Sequence, residues 1–393
     1  MNGLRVALVH DDLTQRGGAE RVALSLHRLF PDAPIYTSVF EPAATYPEFS
    51  QCDVRTTWLQ RLPGGARHPR VLLPLYPAAF EGLVLSGYDL VVSSSSRFAH
   101  GVQVEGGFHV TYCHTPPRFL YDAGMYLGTG GPVPRPLAVG LQPVFAAMRR
   151  WDRRAARRPD AYVANSRETA GRIRRHYGRE ALVVHPPVDL TRFTRPSPPP
   201  PTDPYLLAVS RLLPYKRVDL AVQAATVTGR RLVVVGSGPA LSMLRRLAGP
   251  TVEFREHVPD DELASLLAGC AALVQAGVED FGLAPIEANA AGRPAVAFAA
   301  AGALESVVDG ETGVLFHEPS VAALVDAIER AEATGWDADA LRAHARSMGE
   351  ERFHQRLLAA LSELGFNDLA TPPAPPPPGP ARRDWSGARV WRR

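Results

Sequence analysis

Lysine is almost absent from this chain of 393 residues. Lys and Arg together number 43, and Lys216 is the only lysine among them. Lysine carries a compact charge on a flexible stem, whereas arginine carries a wide planar fork. A chain that uses arginine almost everywhere but keeps one lysine suggests a place where arginine does not fit. We interpret Lys216 as a small cation for a phosphate oxygen in a tight pocket; the alternative is chance retention.

Cysteine is scarce, and the overall charge is small. Cys52, Cys113 and Cys270 are odd in number and far apart, which argues against a disulfide framework or a cysteine-based zinc site and favours a reducing compartment. The net charge of +3 gives no overall basic excess for nucleic acid binding. The chain has 46% hydrophobic and 21% charged residues, which is the composition of a globular protein.

Long uninterrupted apolar runs are also missing. The longest apolar region, Leu263 to Val278, is interrupted by Ser265, Gly269 and Gln275. It therefore predicts a helix, a turn at Gly269 and a buried strand rather than a membrane span. Residues 1–10 lack the basic end and long apolar stretch of a signal peptide, so we expect a first strand there.

Short apolar runs rich in β-branched residues alternate with helical patterns along the chain. This alternation predicts an α/β fold with parallel sheets covered by helices. The predicted strands are Arg5–His10, Ile35–Phe40, Leu90–Ser94, His109–Cys113, Ala161–Ala164, Leu182–His185, Tyr205–Val209, Arg231–Val235, Val252–Phe254, Ala272–Gln275, Ala295–Phe298 and Gly313–Phe316.

A proline-rich segment, 195–204, separates the two sets of strands. Because proline cannot continue a helix or a central strand, we expect a stiff linker there. The chain is also too long for one ordinary core. We therefore predict two doubly wound Rossmann-like domains, residues 1–194 and 205–349, with a ligand site in the cleft between them, where strands end. The proline-rich tail, 371–393, lacks periodicity and is predicted to be disordered.

The segment Ser210-Arg-Leu-Leu-Pro-Tyr-Lys-Arg-Val-Asp219 follows the first strand of the second domain. Arg211 lies at the end of the strand, and Lys216 lies just before the next helix. Two cations in these positions predict a phosphate or diphosphate site. A solvated loop with incidental charges is the alternative.

The segment Glu279-Asp-Phe-Gly-Leu-Ala-Pro-Ile-Glu287 follows the predicted strand Ala272–Gln275. Pro285 suits the first turn of a helix, so we expect Glu287 to lie in that turn. The N–H groups around Phe281, Gly282 and Leu283 should point into the cleft. Carboxylates accept hydrogen bonds from hydroxyl groups, so the two glutamates can hold different hydroxyls of a sugar. For Glu287, interaction with the helix dipole is the alternative.

Glycine pairs follow two strands. Gly17 and Gly18 precede an amphipathic helix, and could let the backbone approach a phosphate at its N-terminus; the alternative is a purely steric role. Gly236-Ser-Gly-Pro239 resembles half of a dinucleotide-binding motif, but Leu241 stands where the third glycine belongs. The sequence therefore disfavours a Rossmann dehydrogenase.

His114 lies in Tyr112-Cys-His-Thr-Pro-Pro117, at the end of a strand of the first domain. That position predicts a catalytic side chain facing the cleft, and a structural histidine is the alternative. Asp337 and Asp339 resemble a metal-binding acidic pair, but no strand precedes them, so we interpret them as surface residues. No cluster with metal-ligand spacing is visible, and we expect no metal and no cofactor.

A basic amphipathic helix is predicted from Leu137 to Arg158. Its apolar stripe ends at Trp151, and its second half carries six arginines: Arg149, Arg150, Arg153, Arg154, Arg157 and Arg158. Such a helix can lie on an anionic membrane surface. A domain helix with a solvated arginine face is the alternative.

Together, these motifs resemble the GT-B retaining glycosyltransferases of family 4 over roughly residues 1–365. The most specific matches are the spacing of Glu279 and Glu287, the segment from Ser210 to Lys216, and the Gly17-Gly18 turn. The stretches 9–20 and 112–116 look most like O-antigen mannosyltransferases that use GDP-mannose.

The resemblance implies a role for each matching position. Arg211 and Lys216 would hold the donor diphosphate, and Glu287 would bind the ribose. Glu279 and the backbone of residues 281–283 would position the donor sugar, with His114 beside it. The resemblance also implies that a last helix, about 350–364, packs back on the first domain.

The resemblance thus implies a retaining hexosyltransferase, with mannose from GDP-mannose as the leading donor and a glycan or lipid-linked acceptor in polysaccharide biosynthesis. Two cations and helix N-termini could stabilise the leaving diphosphate without a metal. We expect a cytoplasmic protein that contacts the inner membrane face through the basic helix. The alternatives are a UDP-hexose-dependent transferase, a sugar-nucleotide epimerase and a non-catalytic protein on the same fold.

Overall fold

The computed structural model describes residues 3–64, 71–122, 142–193 and 204–366. The predicted linker, 195–204, lies outside these ranges except for its last residue, and the predicted tail, 371–393, lies outside them entirely. The first part of the predicted basic helix, before residue 142, is also outside the described residues.

A parallel sheet forms the centre of the first half of the chain. The strands of this half are β1 (Val6–His10), β2 (Ile35–Thr37), β3 (Val54–Thr56), β4 (Val84–Ser86), β5 (Leu90–Ser95), β6 (Gln103–Glu105), β7 (Phe108–Cys113), β8 (Ala161–Ala164) and β9 (Leu182–Val183). The sheet has the order β3-β2-β1-β5-β7-β8-β9. Apolar runs form its central strands, and β1 is buried at every position. Strands β4 and β6 form a separate two-stranded sheet.

A second parallel sheet forms the centre of the second half. Its strands are β10 (Leu206–Val209), β11 (Leu232–Val235), β12 (Val252–Arg255), β13 (Ala272–Gln275), β14 (Ala295–Phe298) and β15 (Gly313–Phe316). They have the order β12-β11-β10-β13-β14-β15. In both sheets the chain runs outward in one direction from the central strand and then crosses back to the other side. The predicted α/β class with two doubly wound sheets is therefore confirmed.

Helices cover both faces of the two sheets. Within the described residues they are α1 (Gly18–Leu29), α2 (Tyr76–Glu81), α3 (Arg118–Tyr121), α4 (Gln142–Ala155), α5 (Arg167–Tyr177), α6 (Val218–Thr228), α7 (Leu241–Leu247), α8 (Asp260–Gly269), α9 (Leu283–Ala290), α10 (Ala303–Ser306), α11 (Val321–Ala333), α12 (Ala338–Ser347) and α13 (Glu350–Glu363). None of these described helices is both long and apolar enough to cross a bilayer.

The last helix, α13, returns to the first sheet. Its buried residues Phe353, Leu357 and Leu361 belong to the same apolar core as strands β1, β5 and β7. The ring of Phe353 meets the ring of Tyr112 edge to face, with centroids 5.6 Å apart. The end of the chain that follows the second sheet therefore stabilises the first one.

The acidic pair Asp337 and Asp339 has a local role at the start of α12. Asp337 is the N-cap residue, and its side chain accepts hydrogen bonds from the N–H groups of Asp339 and Ala340. Asp339 forms an ion pair with Arg342. Both aspartates are exposed, so these contacts account for them as helix-end residues.

Candidate functional site

Lys216 is held at the end of a short 3-10 helix, Pro214–Lys216, that follows β10. Its ammonium forms an ion pair with the carboxylate of Glu279 and lies 5.0 Å from the ring centroid of Tyr215. The backbone is packed closely here, since a Cβ atom on Gly277 would lie 2.5 Å from the Cα atom of Lys216. The lysine side chain is 11% exposed, so it is a largely shielded cation.

Lys216 and Glu279 line a cavity at the carboxyl ends of β10 and β13, together with Ser210, Gln275 and Ala284. These two strands are neighbours in the second sheet. Parallel strands present their carboxyl ends at one edge, where ligands of such sheets bind. The cavity therefore has the position expected of a ligand site.

Helix α9 begins at Leu283, after Gly282 in a left-handed conformation. Its first N–H groups have no partner within the helix and lie next to the cavity. Pro285 is the third residue of the helix rather than the first, which is tolerated because an N–H at that position has no intrahelical partner. Glu287 consequently lies in the second turn, and its expected place in the first turn is wrong.

Glu287 does not contact Lys216. Its carboxylate lies 2.5 Å from a guanidinium nitrogen of Arg192, and both side chains are largely buried. Arg192 comes from the end of the first half of the chain, in the 3-10 helix Leu190–Phe193. Arg211 is exposed, and its side chain has no ion pair among the described residues. Among the described residues, Lys216 thus pairs with Glu279 and Glu287 pairs with Arg192. Neither Arg211 nor Glu287 lines the cavity.

The Gly17-Gly18 turn faces the second domain across the cleft. Gly17 is the N-cap residue of α1. A Cβ atom on Gly18 would lie 3.0 Å from the Cδ1 atom of Leu283, the first residue of α9. The N-termini of α1 and α9, one from each domain, therefore approach each other at a point where a side chain would reduce the space for a ligand.

His114 follows β7 and is 9% exposed. Its Nε2 atom lies 2.8 Å from the Oγ atom of Ser94. Burial and the neighbouring His10 lower the pKa of His114 to about 4, against an opposing influence of the Asp11 carboxylate. His114 is therefore a neutral imidazole at neutral pH.

An ion pair between Arg118 and Asp280 joins the two domains. The sequence analysis did not identify either residue as part of the site. Arg118, at the start of α3, lies 2.5 Å from a carboxylate oxygen of Asp280 and 5.4 Å from the ring centroid of Tyr215. Burial raises the pKa of Asp280, although Arg118 and Arg172 oppose the rise. Asp280 lies directly after Glu279, so its position inside an already identified motif was the available signal.

Asp11 is a buried residue with a structural task. It accepts hydrogen bonds from the N–H groups of residues 96–99. Burial alone would raise its pKa, but the charge of Arg97, the neighbouring His10 and these N–H groups hold the pKa below the usual value. Asp11 thus fixes the loop after β5 and the end of β1 relative to each other.

Two family models match the chain. The model described as "Glycosyltransferase Family 4" matches residues 16–192, and the model described as "Glycosyl transferases group 1" matches residues 191–349. Their boundary falls at residues 191–192, just before the predicted linker. The second model spans the whole second sheet, and the first model spans the first sheet except for β1.

Curated relatives match at about one third identity. The chain is 33% identical over 230 residues to D-inositol 3-phosphate glycosyltransferase of Streptomyces scabiei, covering 49% of this chain and 51% of that protein. It is 32% identical over 206 residues to the GDP-mannose-dependent alpha-(1-6)-phosphatidylinositol monomannoside mannosyltransferase of Mycolicibacterium smegmatis, covering 45% and 54%. The chain thus spans about half the length of these relatives.

Solved structures match over nearly the whole fold. Anabaena HepE in complex with UDP and glucose aligns with a TM-score of 0.67 at 19% identity, covering 91% of this chain and 99% of that one. Sucrose-phosphate synthase from Thermosynechococcus elongatus aligns with a TM-score of 0.67 at 16% identity, covering 92% and 99%. At these identities the likeness concerns the fold.

Proposed function

The chain belongs to the GT-B glycosyltransferases of family 4, and on that premise we propose that it transfers a hexosyl group from a nucleotide sugar to a glycan or lipid-linked acceptor, with retention of configuration. The preferred donor is GDP-mannose. A UDP-hexose is the second candidate, because HepE was solved in complex with UDP and glucose, whereas the M. smegmatis relative is named for GDP-mannose.

The observation that supports this proposal most directly is the cavity containing Lys216 and Glu279. Transfer of a sugar leaves a nucleoside diphosphate, so negative charge develops on its phosphate oxygens. A fixed ammonium and the first N–H groups of α9 can stabilise that charge. In this proposal the diphosphate replaces Glu279 as the partner of Lys216. The carboxylate of Glu279 then accepts a hydrogen bond from a sugar hydroxyl.

The other candidate residues do not line this cavity, and their proposed roles follow from the resemblance to the family. Arg211, exposed beside the end of β10, would close on the diphosphate as a second cation. Glu287, now paired with Arg192, would accept hydrogen bonds from the ribose. The backbone of residues 281–283 would position the sugar, with His114 on the opposite wall. In this proposal no metal is required.

The acceptor side of the proposal concerns helix α4, the described part of the predicted basic helix. Met148 and Trp151 are buried against the first domain, whereas Arg150, Arg153 and Arg154 are exposed. An exposed row of arginines beside a domain can attract anionic lipid headgroups. We propose a cytoplasmic protein that contacts the inner membrane face through this helix when it meets a lipid-linked acceptor.

The donor is identified by a thermal-shift screen of GDP-mannose, UDP-glucose and related nucleotide sugars. A ligand that binds only the native state raises the melting temperature by mass action. We expect the largest rise with GDP-mannose, and we expect Lys216→Ala to abolish both the rise and the transfer. Arg245→Ala is the matched control, because Arg245 is an exposed cation of the same domain paired with Glu256.

The outcome separates the competing functions. Transfer to an acceptor with retained configuration supports the proposal. Isomerisation of the nucleotide sugar without acceptor would instead identify an epimerase. Near-wild-type transfer by the Lys216→Ala variant would contradict the proposed site.

A further inference from the structure

Three adjacent strands of the first sheet bring a row of polar side chains together. His10 ends β1, Ser94 lies near the end of β5, and His114 follows β7. His10 and Ser94 are directly opposite each other in the parallel pairing of β1 with β5. The side chains of these residues are therefore fixed by the sheet rather than by a loop.

The row is buried, and hydrogen-bond distances join His114, Ser94 and His10. The Nε2 atom of His114 lies 2.8 Å from the Oγ atom of Ser94, and the same Oγ atom lies 3.1 Å from the Nδ1 atom of His10. The other nitrogen of His10, Nε2, faces the carboxylate of Glu20 at 3.9 Å. His10 and Glu20 are each 2% exposed, and Ser94 is 1% exposed. Water is thus largely excluded from the row.

The carboxylate of Glu20, at the far end of the row, influences which groups donate hydrogen bonds and which accept them. An ionised carboxylate only accepts hydrogen bonds, so electrostatics favours a proton on the His10 Nε2 atom that faces it. Gln15 donates a hydrogen bond to Oε1 of Glu20, and Oε2 has no hydrogen-bond partner among the described residues. Oε2 lies against Gly17, where a Cβ atom would be 2.6 Å away.

The donor and acceptor roles of the other groups follow from Glu20, because each group has a limited number of protons. With a single ring proton on Nε2, His10 accepts at Nδ1, where it receives the single hydroxyl proton of Ser94. The Ser94 oxygen then accepts a hydrogen bond from His114. We infer that Glu20, acting through His10 and Ser94, fixes the proton of His114 on Nε2 and leaves Nδ1 as a bare hydrogen-bond acceptor.

The surroundings of His114 are consistent with this assignment. Its pKa is lowered to about 4, chiefly by burial, so the ring is neutral and has one proton to place. The charged or titratable groups that influence it are His10, Asp11 and Glu20. Asp11 does not compete for protons of the row, because both of its oxygens accept N–H groups of residues 96–99.

The consequence for the site rests on the proposed function. With Nδ1 bare, His114 accepts a hydrogen bond from a sugar hydroxyl and does not donate one. Glu20, His10 and Ser94 are then positioning residues, which act on the sugar only through His114. A hydroxyl group at the contacted position of the sugar satisfies this acceptor, and an analogue that lacks the hydroxyl leaves it unpaired.

The tautomer is measured directly by ¹⁵N NMR of the full chain labelled in the histidine ring, without substrate. Protonated and bare imidazole nitrogens differ widely in chemical shift, and a His114→Gln spectrum identifies the signals of His114. We expect the wild-type protein to carry the His114 proton on Nε2 and none on Nδ1. A wild-type spectrum with the proton on Nδ1 overturns the inference, whether or not any variant folds.

Two variants test the role of the row. Glu20→Gln removes the charge that directs it, and Ser94→Ala removes the link, so in both we expect the Nδ1 signal to move toward its protonated position. Ser93→Ala is the matched control, because Ser93 is equally buried but contacts His109 instead. A Glu20→Gln spectrum identical to the wild-type spectrum also overturns the inference.

Activity gives a separate readout. If the protein transfers sugar, Glu20→Gln should lower kcat about fivefold to tenfold, the loss of one hydrogen bond, with little change in KM for the donor. If the wild-type protein transfers no sugar, the proposed function fails, but the NMR result on His114 stands independently.

Discussion

Lys216 and Glu279 neutralise each other in a position that water reaches poorly, since their side chains are 11% and 19% exposed. A shielded charge pair is costly to break unless a new partner takes its place. A diphosphate offers such a partner for the ammonium, and a sugar hydroxyl offers one for the carboxylate. Under the proposed function, this one ion pair therefore couples binding of the diphosphate to binding of the sugar.

This coupling predicts opposite effects of Glu279→Gln on two measurements. The change removes the competitor for the Lys216 ammonium, so calorimetry should show GDP or UDP binding at least as tightly as to the wild-type protein. It also replaces the charged acceptor for the sugar by a weaker, neutral amide oxygen, so transfer should fall about 10-fold to 100-fold, the usual effect of weakening one hydrogen bond to a charged group. Lys216→Ala serves as the contrast, because it should weaken nucleotide binding; equal weakening by both variants would contradict the coupling.

Among the elements, the loop from Glu279 to Leu283 depends on a glycine elsewhere in the chain. Gly302 precedes α10, and its N–H donates a hydrogen bond to the carbonyl oxygen of Glu279. A Cβ atom on Gly302 would lie 2.2 Å from the Cα atom of Phe281. Because both sides of this contact are backbone, neither can give way without moving the loop.

We therefore expect Gly302→Ala to displace the loop, to lower the free energy of unfolding by about 1–3 kcal/mol, and to reduce donor binding. Chemical denaturation and calorimetry measure the two effects. Gly335→Ala is the control, since a Cβ atom there meets no atom within 4 Å. Wild-type donor binding by the Gly302→Ala variant would mean that the loop does not position the donor.

The sequence predicted those elements whose residues carry a local signal. Strands such as β10 and β13 are buried apolar runs, so periodicity and composition identify them. Strand β3 escaped prediction, because it has only three residues and two of them are exposed. Its pairing with β2 makes it a strand, and the local sequence pattern does not predict such a contact.

The residues of the candidate site also differ in whether a local sequence signal identifies them. Lys216 and Glu279 were found because composition and motif spacing single them out. Arg118 and Arg192, which pair with Asp280 and Glu287, were missed, because each reaches its carboxylate across a long stretch of chain: 162 residues separate Arg118 from Asp280, and 95 separate Arg192 from Glu287. No local pattern distinguishes these two arginines from the many others.

For the molecule as a whole, two buried histidines predict how stability depends on pH. Burial lowers the pKa of His109 to about 3 and that of His114 to about 4, from an ordinary value of 6.5. Below pH 6.5 the unfolded chain therefore binds protons that the native protein excludes. Stability is fully present above that pH and should fall by about 1.4 kcal/mol per pH unit for each histidine as the pH drops toward 4.

Denaturant unfolding between pH 7 and pH 5 measures this slope. His109→Gln removes one of the two groups and should reduce the slope by about one histidine's share. An unchanged slope in that variant would show that other groups govern the acid sensitivity. The test leaves His114 in place, so it does not depend on the donor site.

The two domains are also joined through the fold itself, because α13 follows the second sheet along the chain but packs on the first. Phe353 is 2% exposed and lies against Tyr112 of β7. Phe353→Ala should destabilise the protein by about 3–5 kcal/mol, as expected for a large cavity in a core. Hydrogen exchange should show the loss mainly in β7, with β13 nearly unaffected. Gln355→Ala, on the exposed face of the same helix, should change neither; an equal loss of protection in both sheets would mean that the domains unfold as one unit.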